Sequence, residues 1–205
     1  MWQIDRDNAE EPTKYVVNKK FASLQDLIAH YGTAGAGLRL DLGCGYYKPD
    51  GFIGIDNLSG EGAQIQSQAN APDILMDLNN HAIPLDENSC VEIRSSHFLE
   101  HSRLDHIINE CFRLLRPGGI FCFAVPYANS AEGMYPGHSI FLTEKWFREN
   151  LNFQRKFDIF EESYLPSDDY IRLPTFVRLL IPFRYARTFL FNACKQMTLL
   201  CRVRK

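Results

Sequence analysis

The chain has 205 residues, of which 45% are hydrophobic, 13% aromatic and 23% charged. This length suits one α/β domain, and the apolar content is enough to bury roughly 70% of the surface of the unfolded chain. Composition therefore excludes disordered, collagen-like and fibrous proteins, and we expect residues 1–205 to form a single domain.

The formal net charge of −3 conceals two unequal parts of the chain. Residues 170–205 contain eight lysines and arginines and no acidic residue, whereas all 25 acidic residues precede them. The basic end predicts contact with an anionic partner, or packing against the acidic body of the same protein. Nucleic acid is disfavoured as that partner, because the rest of the chain is acidic.

The cysteines and the absence of long apolar stretches in the sequence indicate the cellular compartment of the protein. The six cysteines lie mostly in apolar runs and form no C-x-x-C pair, which predicts buried thiols and a reducing compartment. The first residues lack the apolar core of a signal peptide, and no apolar stretch reaches the roughly 18 residues that span a bilayer. We therefore expect a cytoplasmic protein, with peripheral attachment to a membrane left open.

The first half of the chain predicts helices alternating with short buried strands. Residues 1–37 are expected to be a helical extension, because apolar residues recur at helical spacing from Phe21 to Tyr31. Four apolar runs then predict parallel strands that end in acidic or hydroxyl side chains, and these runs are residues 38–42, 51–56, 73–77 and 90–95. Ser102 is predicted to cap a helix that ends before Gly119.

The second half predicts a fifth buried strand at residues 120–125, and then a loop over residues 126–142. A short helix is expected from Thr143, followed by an edge strand at Phe153–Phe160 and a last strand at Leu199–Val203. Strands that alternate with helices in this way predict a doubly wound α/β sheet, which binds ligands at the carboxyl edge.

Three acidic residues at successive strand ends are the first candidates for ligand binding. Asp41 precedes Gly43-Cys44-Gly45, where glycines let backbone N–H groups approach a ligand closely. Asp56 ends the next strand and is placed to accept both hydroxyls of a ribose. Asp77 ends the third strand and is placed to accept from an adenine amino group.

Together these pieces resemble the class I S-adenosylmethionine-dependent methyltransferases, from about Leu38 to Pro126. The matching stretches are LRLDLGCG, GFIGID, ILMDL with IPLDENSCVEI, SSHFLEHS and LLRPGGIFCFAVP. The resemblance implies a Rossmann-like, doubly wound, seven-stranded sheet that is mostly parallel with an antiparallel last strand, and S-adenosylmethionine as cofactor. It further implies the cofactor-binding residues Asp41, Gly43, Cys44, Gly45, Asp56, Asn57, Asp77, Leu78, Ser95, Ser96 and His97.

One departure from this family concerns the connection between the first two strands. Only the nine residues Gly43–Gly51 separate them, too few for a full crossover helix. The rival interpretation, a nicotinamide-dependent oxidoreductase, needs G-x-G-x-x-G, and Lys48 stands where the third glycine belongs. The rival is therefore disfavoured.

The sequence His97-Phe98-Leu99-Glu100-His101 is the second candidate for chemistry. Its H-x-x-E-H pattern also occurs in inverted zinc peptidases, but here it follows a strand instead of lying within a long helix, which excludes that activity. With His138 it resembles the E-x-x-E-H and later histidine of metal-assisted O-methyltransferases, such as those of ubiquinone synthesis and small-RNA 3′-end methylation. His97 replaces the first glutamate of that pattern.

Three interpretations of these residues remain open. One histidine among His97, His101 and His138 acts as a general base, without a metal. Alternatively, His97, Glu100, His101 and His138 bind a metal, for which their chemistry favours zinc or iron. In the third interpretation the side chains are structural and close the pocket.

The predicted insertion before the last strand, residues 170–198, is both basic and apolar. Its segment Arg172–Lys195 combines eight Phe and Leu residues with five cations. One interpretation is a lid or a patch that lies on anionic lipid, or that holds a lipid-linked or phosphorylated substrate. In the alternative, its apolar residues complete the core or a homodimer contact, and the arginines stay solvated.

The sequence therefore predicts methyl transfer from S-adenosylmethionine, to oxygen in preference to nitrogen or carbon. The acceptor expected by analogy is a small hydroxylated molecule, a glycan or a lipid-linked sugar. A non-catalytic scaffold that binds S-adenosylmethionine is the alternative.

Overall fold

A computed structural model describes residues 2–4, 14–32, 37–58 and 71–205. In these residues the chain forms nine strands, seven α-helices and a 3-10 helix at Leu99–His101. In chain order the elements are β1 (Trp2–Ile4), β2 (Tyr15–Asn18), α1 (Leu24–Tyr31), β3 (Leu38–Leu42), β4 (Ile53–Asp56), β5 (Ile74–Met76), β6 (Cys90–Ser96), α2 (Leu104–Leu114), β7 (Leu115–Pro126), α3 (Glu144–Glu149), α4 (Leu151–Lys156), β8 (Phe157–Pro166), α5 (Asp168–Arg172), α6 (Thr175–Leu180), α7 (Phe183–Phe189) and β9 (Cys194–Val203).

The strands form one sheet in the order β1-β2-β5-β4-β3-β6-β7-β9-β8. The five strands from β5 to β7 are parallel to one another, and β9 runs antiparallel between β7 and β8. The predicted mostly parallel α/β sheet with an antiparallel last strand is therefore confirmed. Beyond its seven strands, β2 and β1 extend the sheet at the β5 edge.

The N-terminal segment contains more than the predicted helix. Helix α1 begins at Leu24, because the Ser23 hydroxyl accepts a hydrogen bond from the Asp26 N–H and caps the helix there. Strands β1 and β2 were not predicted. Each has only three or four residues, too few to show a strand period, and β2 is defined by its antiparallel pairing with β5. The glycine-rich stretch that follows this helix in the sequence lies largely outside the described residues.

Central strands are buried on both faces, as a parallel sheet requires. Leu40, Leu42, Ile53 and Ile55 are fully buried at alternate positions, and the residues between them are buried as well or nearly so. The predicted strands at 38–42 and 90–95 are reproduced almost to the residue. Because these strands are parallel, their carboxyl ends meet at one edge of the sheet.

The short helices α3 and α4 pack against the sheet through aromatic side chains. The Phe123 ring lies 4.9 Å from Phe147, and the Phe153 ring stacks 5.2 Å from Phe157. The predicted strand Phe153–Phe160 is wrong in its first half, because Asn150 caps α4 by accepting from the Phe153 N–H. Strand β8 begins only at Phe157, and it is the edge strand, as predicted.

Helix α2 carries the predicted apolar stripe, which is buried. The predicted cap is wrong, since the Ser102 hydroxyl donates to the Leu99 carbonyl oxygen at 2.8 Å and closes the preceding 3-10 helix. Arg103 occupies the cap position without a side-chain hydrogen bond. A three-residue 3-10 helix and the eleven-residue helix α2 therefore follow β6, where one capped helix was predicted.

The predicted insertion at residues 170–198 is a helical segment over residues 167–193, which we call the helical cap. It contains α5, α6 and α7 and joins β8 to β9. Strand β9 begins at Cys194, five residues before the predicted Leu199, because its first residues pair with the ends of β7 and β8.

All six cysteines are free thiols, and five of them are buried, as predicted. Burial raises the pKa of Cys90 to about 11, so its thiol is unreactive near neutral pH. None of the helices in the described part of the chain is long and apolar enough to cross a membrane.

Candidate functional site

The loop after β3 brings backbone N–H groups to the carboxyl edge. Gly43 has φ +67°, and a Cβ there would lie 2.4 Å from carbon atoms of Phe98. Gly45 has φ +52°, and its N–H donates to the Asp56 carboxylate at 2.8 Å. The turn therefore needs glycine at position 43 for two reasons, the left-handed backbone and the close approach of Phe98.

A buried ion pair supports the short connection between β3 and β4. Lys48 Nζ lies 2.9 Å from Asp73 Oδ2 and 2.6 Å from the Tyr31 hydroxyl, and Asp73 also accepts from the Gly54 N–H. These contacts join the loop, helix α1 and the start of β5. They replace the crossover helix, for which nine residues are too few. Sequence reasoning missed this brace, although a lysine in a short loop and an aspartate before an apolar strand were visible.

Asp41 is the most deeply buried of the three strand-end acids, with 4% exposure. Burial raises its pKa to about 6, although Arg94 Nε lies 3.9 Å from Oδ1 and acts in the opposite direction. The negative charge of Asp56 also raises the pKa of Asp41. A cationic ligand at this edge would offset the buried charge of Asp41.

Asp56 and Asp77 both accept hydrogen bonds from the residues that follow them, and Asp56 also accepts one from the loop after β3. Asp56 Oδ1 accepts from the Leu58 N–H at 2.6 Å, while its Oδ2 accepts from Gly45. Asp77 accepts from the Asn79 N–H at 2.9 Å and from the Asn80 side-chain amide at 2.6 Å. These bonds fix both carboxylates in place and leave further lone pairs for a ligand.

The remaining residues predicted to bind the cofactor differ in how exposed their side chains are. Asn57 is exposed directly after β4, Leu78 is buried, and Cys44 is buried under the loop. At the end of β6, Ser95 is buried and pairs with Leu42 of β3, and its hydroxyl has no hydrogen-bond partner in the described part of the chain. Ser96 follows it and is partly exposed.

His97 has a left-handed backbone, with φ +53°, which is unusual for a residue with a side chain. Its Nε2 lies 2.8 Å from Gln196 Oε1, and its Nδ1 lies 3.6 Å from Glu100 Oε1. Glu100 first, and Gln196 to a lesser extent, raise the pKa of His97. Since both ring nitrogens face acceptors, the protonated form of His97 is favoured and neither nitrogen is free to accept a proton from a substrate.

Glu100, His101 and His138 form the densest group of ligand atoms found among the described residues. One side-chain ligand atom from each of them lies within 4.8 Å of the other two. Glu100 is 98% buried, and neither of its carboxylate oxygens has a hydrogen-bond partner in the described part of the chain. A buried carboxylate without hydrogen bonds is costly unless a cation or a proton donor compensates for it, and the His97 ring, 3.6 Å from Oε1, does so in part.

Backbone carbonyls orient both histidines of this group. His101 Nδ1 lies 3.1 Å from the Gly137 oxygen, and His138 Nδ1 lies 3.1 Å from the Gly133 oxygen. A carbonyl can only accept, so each Nδ1 donates, which leaves each Nε2 with a lone pair when the ring is neutral. This is the arrangement that fixes the tautomer of metal-binding histidines.

The loop that carries His138 is attached to the 3-10 helix that carries Glu100. The N–H groups of Ser139 and Ile140 both donate to the Glu100 carbonyl oxygen, at 2.9 and 3.2 Å. These bonds bring together two parts of the sequence that are almost forty residues apart. The predicted grouping of Glu100, His101 and His138 is found, and His97 lies beside it at the Glu100 carboxylate.

A groove elsewhere on the protein contains none of the predicted site residues. It lies beside α4 and the edge strand β8 and is lined by Phe147, Leu151 and Glu162, among others. The candidate chemistry is therefore at the carboxyl edge and not in this groove.

Comparison with known proteins gives a family match for the central part of the chain. Residues 40–123 match the model of a methyltransferase domain, which covers β3 to β7. No curated protein sequence matches the chain.

Several solved structures share the fold at low sequence identity. An S-adenosylmethionine-dependent methyltransferase from Archaeoglobus fulgidus is 17% identical, with a TM-score of 0.55 over 90% of this chain and 96% of that one. Another from Thermotoga maritima is 15% identical, with a TM-score of 0.52 over 91% and 90%. The [4+2]-cyclase SpnF is 19% identical, with a TM-score of 0.54 over 87% and 79%. This likeness shows the fold, and a cyclase among these structures means that the fold alone does not name the reaction.

Three observations bear on the class of this protein, which are the fold, the glycine-rich loop with its strand-end acids, and the match of residues 40–123 to a methyltransferase domain. They support an S-adenosylmethionine-dependent methyltransferase with a Rossmann-like fold, and S-adenosylmethionine as its cofactor. The acceptor has to be argued from the residues outside that loop.

Proposed function

We propose that the protein transfers the methyl group of S-adenosylmethionine to a hydroxyl group of a small, glycan or lipid-linked acceptor, with Glu100, His101 and His138 at the reacting hydroxyl. The observation that carries this proposal is the buried Glu100 carboxylate, which faces two oriented imidazoles. Hydroxyl groups need such assistance, because they are weak nucleophiles while they keep their proton.

The cofactor supplies an activated methyl group on a sulfonium, so the protein mainly has to hold the two reactants in line. Asp41 would face the positive charges of the methionyl part, which would stabilise its buried carboxylate. Backbone N–H groups of the Gly43–Gly45 turn lie beside it. Asp56 and Asp77 follow along the same edge, where they are assigned the ribose hydroxyls and the adenine amino group.

Glu100, His101 and His138 would hold a divalent cation through one carboxylate oxygen and two imidazole nitrogens. This donor set suits zinc or iron better than magnesium, which prefers oxygen ligands. A cation there would lower the pKa of an acceptor hydroxyl that it binds. His97, which contacts Glu100, would then orient the carboxylate and is not itself needed as a ligand.

The cofactor assignment is tested by calorimetric titration with S-adenosylmethionine, S-adenosylhomocysteine and NADH. We expect the first two to bind, and binding to be lost in Asp56→Ala but kept in the control Asp86→Ala, which changes an exposed acid away from the loop. Binding of NADH alone, or of none of the three, would overturn the proposal. Turnover is then tested with labelled cofactor and hydroxylated acceptors, since binding without product would indicate the scaffold alternative.

The cation is tested separately, by titrating the metal-free protein with zinc and with ferrous iron. We expect one ion per chain, with binding lost in Glu100→Gln and in His138→Ala and kept in His81→Ala. His81 is a suitable control because, among the described residues, it forms hydrogen bonds through its backbone, with its oxygen near His106 Nε2 and its N–H donating to the Asp77 oxygen. Absence of binding in the wild-type protein, or equal binding in all variants, would exclude the metal and leave the histidine base.

A further inference from the structure

The helical cap exposes an unusual amount of apolar surface. Phe176, Leu179, Leu180, Phe189 and Phe191 are each between 59% and 77% exposed. The cap contains only one small buried cluster, formed by Tyr170, Ala186 and Ala193. Its helices have five to seven residues, so they gain little stability from their own hydrogen bonds. The prediction that these apolar residues complete the core is therefore wrong for the five exposed side chains.

Positive charge accompanies this apolar surface. Residues 170–195 contain five cations and no acidic residue. Arg187 is used within the fold, where it pairs with Glu144 and lies over the Tyr164 ring. No acidic side chain among the described residues pairs with Arg172, Arg178 or Arg184. Arg178 donates one hydrogen bond to the Leu173 oxygen and Arg184 one to the Tyr185 hydroxyl, so their positive charges are without an anionic partner in this part of the chain.

The cap is attached to the loop that carries His138. The Asn129 side-chain amide donates to the Leu190 oxygen at 2.9 Å, and the Asn192 N–H donates to the Asn129 oxygen at 2.9 Å. At its end the chain enters β9, whose Gln196 contacts His97. The exposed apolar surface therefore borders the candidate site, at the opposite edge of the sheet from β1 and β2.

We propose that the helical cap docks on an anionic lipid bilayer. Its phenylalanines and leucines would enter the boundary between headgroups and acyl chains, while Arg172, Arg178 and Arg184 contact lipid phosphates. The charge distribution supports this orientation, because residues 1–169 are strongly acidic and would be repelled by the same surface. Docking does not require the proposed reaction, but it would bring the site to acceptors that are attached to lipid.

The experiment is co-sedimentation of the full chain with vesicles. Phosphatidylcholine vesicles are compared with vesicles of equal parts phosphatidylcholine and phosphatidylglycerol, at low and high salt. We expect binding to the anionic vesicles that weakens with salt. The double variant Leu179→Asp, Leu180→Asp should bind these vesicles at least about tenfold more weakly than the wild-type protein, because it puts charge where apolar side chains would be buried. Arg178→Ala with Arg184→Ala should reduce the preference for anionic vesicles.

Leu151→Asp is the matched control, since Leu151 is 65% exposed but lies in α4, outside the cap. It should bind vesicles as the wild-type protein does. Thermal melting and titration with S-adenosylhomocysteine on each variant separate a loss of docking from a loss of folding or of cofactor binding. Docking is refuted if the wild-type protein does not sediment with anionic vesicles, or if the double variant binds them as well as the wild-type protein does. A dimer that dissociates in the double variant, without vesicle binding, would instead assign the surface to a second copy of the chain.

Discussion

Asp41→Asn should make the cofactor-free protein more stable at neutral pH, although it changes a predicted cofactor residue. The pKa of Asp41 is about 6 in the folded protein, against an ordinary value of 3.8. Between these pH values the unfolded chain loses the proton while the folded chain keeps it, so stability falls as pH rises. Two pKa units correspond to about 3 kcal/mol, lost mainly between pH 4 and pH 6.

The asparagine side chain has nearly the same shape as aspartate and no charge. The free energy of unfolding of Asp41→Asn therefore does not fall between about pH 4 and pH 6 through this side chain. In urea denaturation followed by circular dichroism, the stability of Asp41→Asn relative to wild type should be about 2 kcal/mol greater near pH 7.5 than near pH 4.5. Equal differences at the two pH values would refute the assignment of a raised pKa to Asp41. The same variant should bind S-adenosylmethionine more weakly, which calorimetry measures.

Three further substitutions test the architecture of the loop. Lys48→Met should destabilise the protein by about 3–5 kcal/mol in urea denaturation, because it leaves the buried Asp73 carboxylate unpaired; an unchanged midpoint would mean that the brace does not support the loop. Gly43→Ala should cost about 2–4 kcal/mol and weaken cofactor binding, since both its backbone and Phe98 resist a Cβ. Gly45→Ala meets no atom within 4 Å and should cost about 1–2 kcal/mol, so equal effects of the two substitutions would contradict the role given to Phe98.

The cofactor edge could be predicted from sequence because each of its parts is marked locally. Asp41 and Asp56 end short apolar strands, and glycines mark the turn between them. Parallel pairing then brings the strand ends together, whatever lies between them. The family resemblance and the local pattern agree on these residues, and the structure places both acids where the sequence predicts.

Other features depend on contacts between distant parts of the chain, which no local pattern shows. Asn150 ends one helix and caps the next, so a stretch that alternates like a strand forms α4 instead. Lys48 and Asp73 are separated by twenty-five residues, and their pairing depends on how β4 and β5 lie side by side. His138 could be nominated from its residue type, but only the backbone bonds to Glu100 show why it approaches His101.

The two ends of the helical cap lie opposite each other in the sheet, where Pro166 pairs with Cys194. When the two residues that flank a segment are paired in a sheet, the segment can become longer or shorter with little change in folding free energy. The reason is that the entropic cost of closing a loop grows only slowly with the number of its residues. Evolution or design can therefore exchange this segment as a module, down to a tight hairpin turn, without altering strand register. The glycine-rich turn after β3 lies between other strands of the sheet, so such an exchange would leave its backbone unchanged.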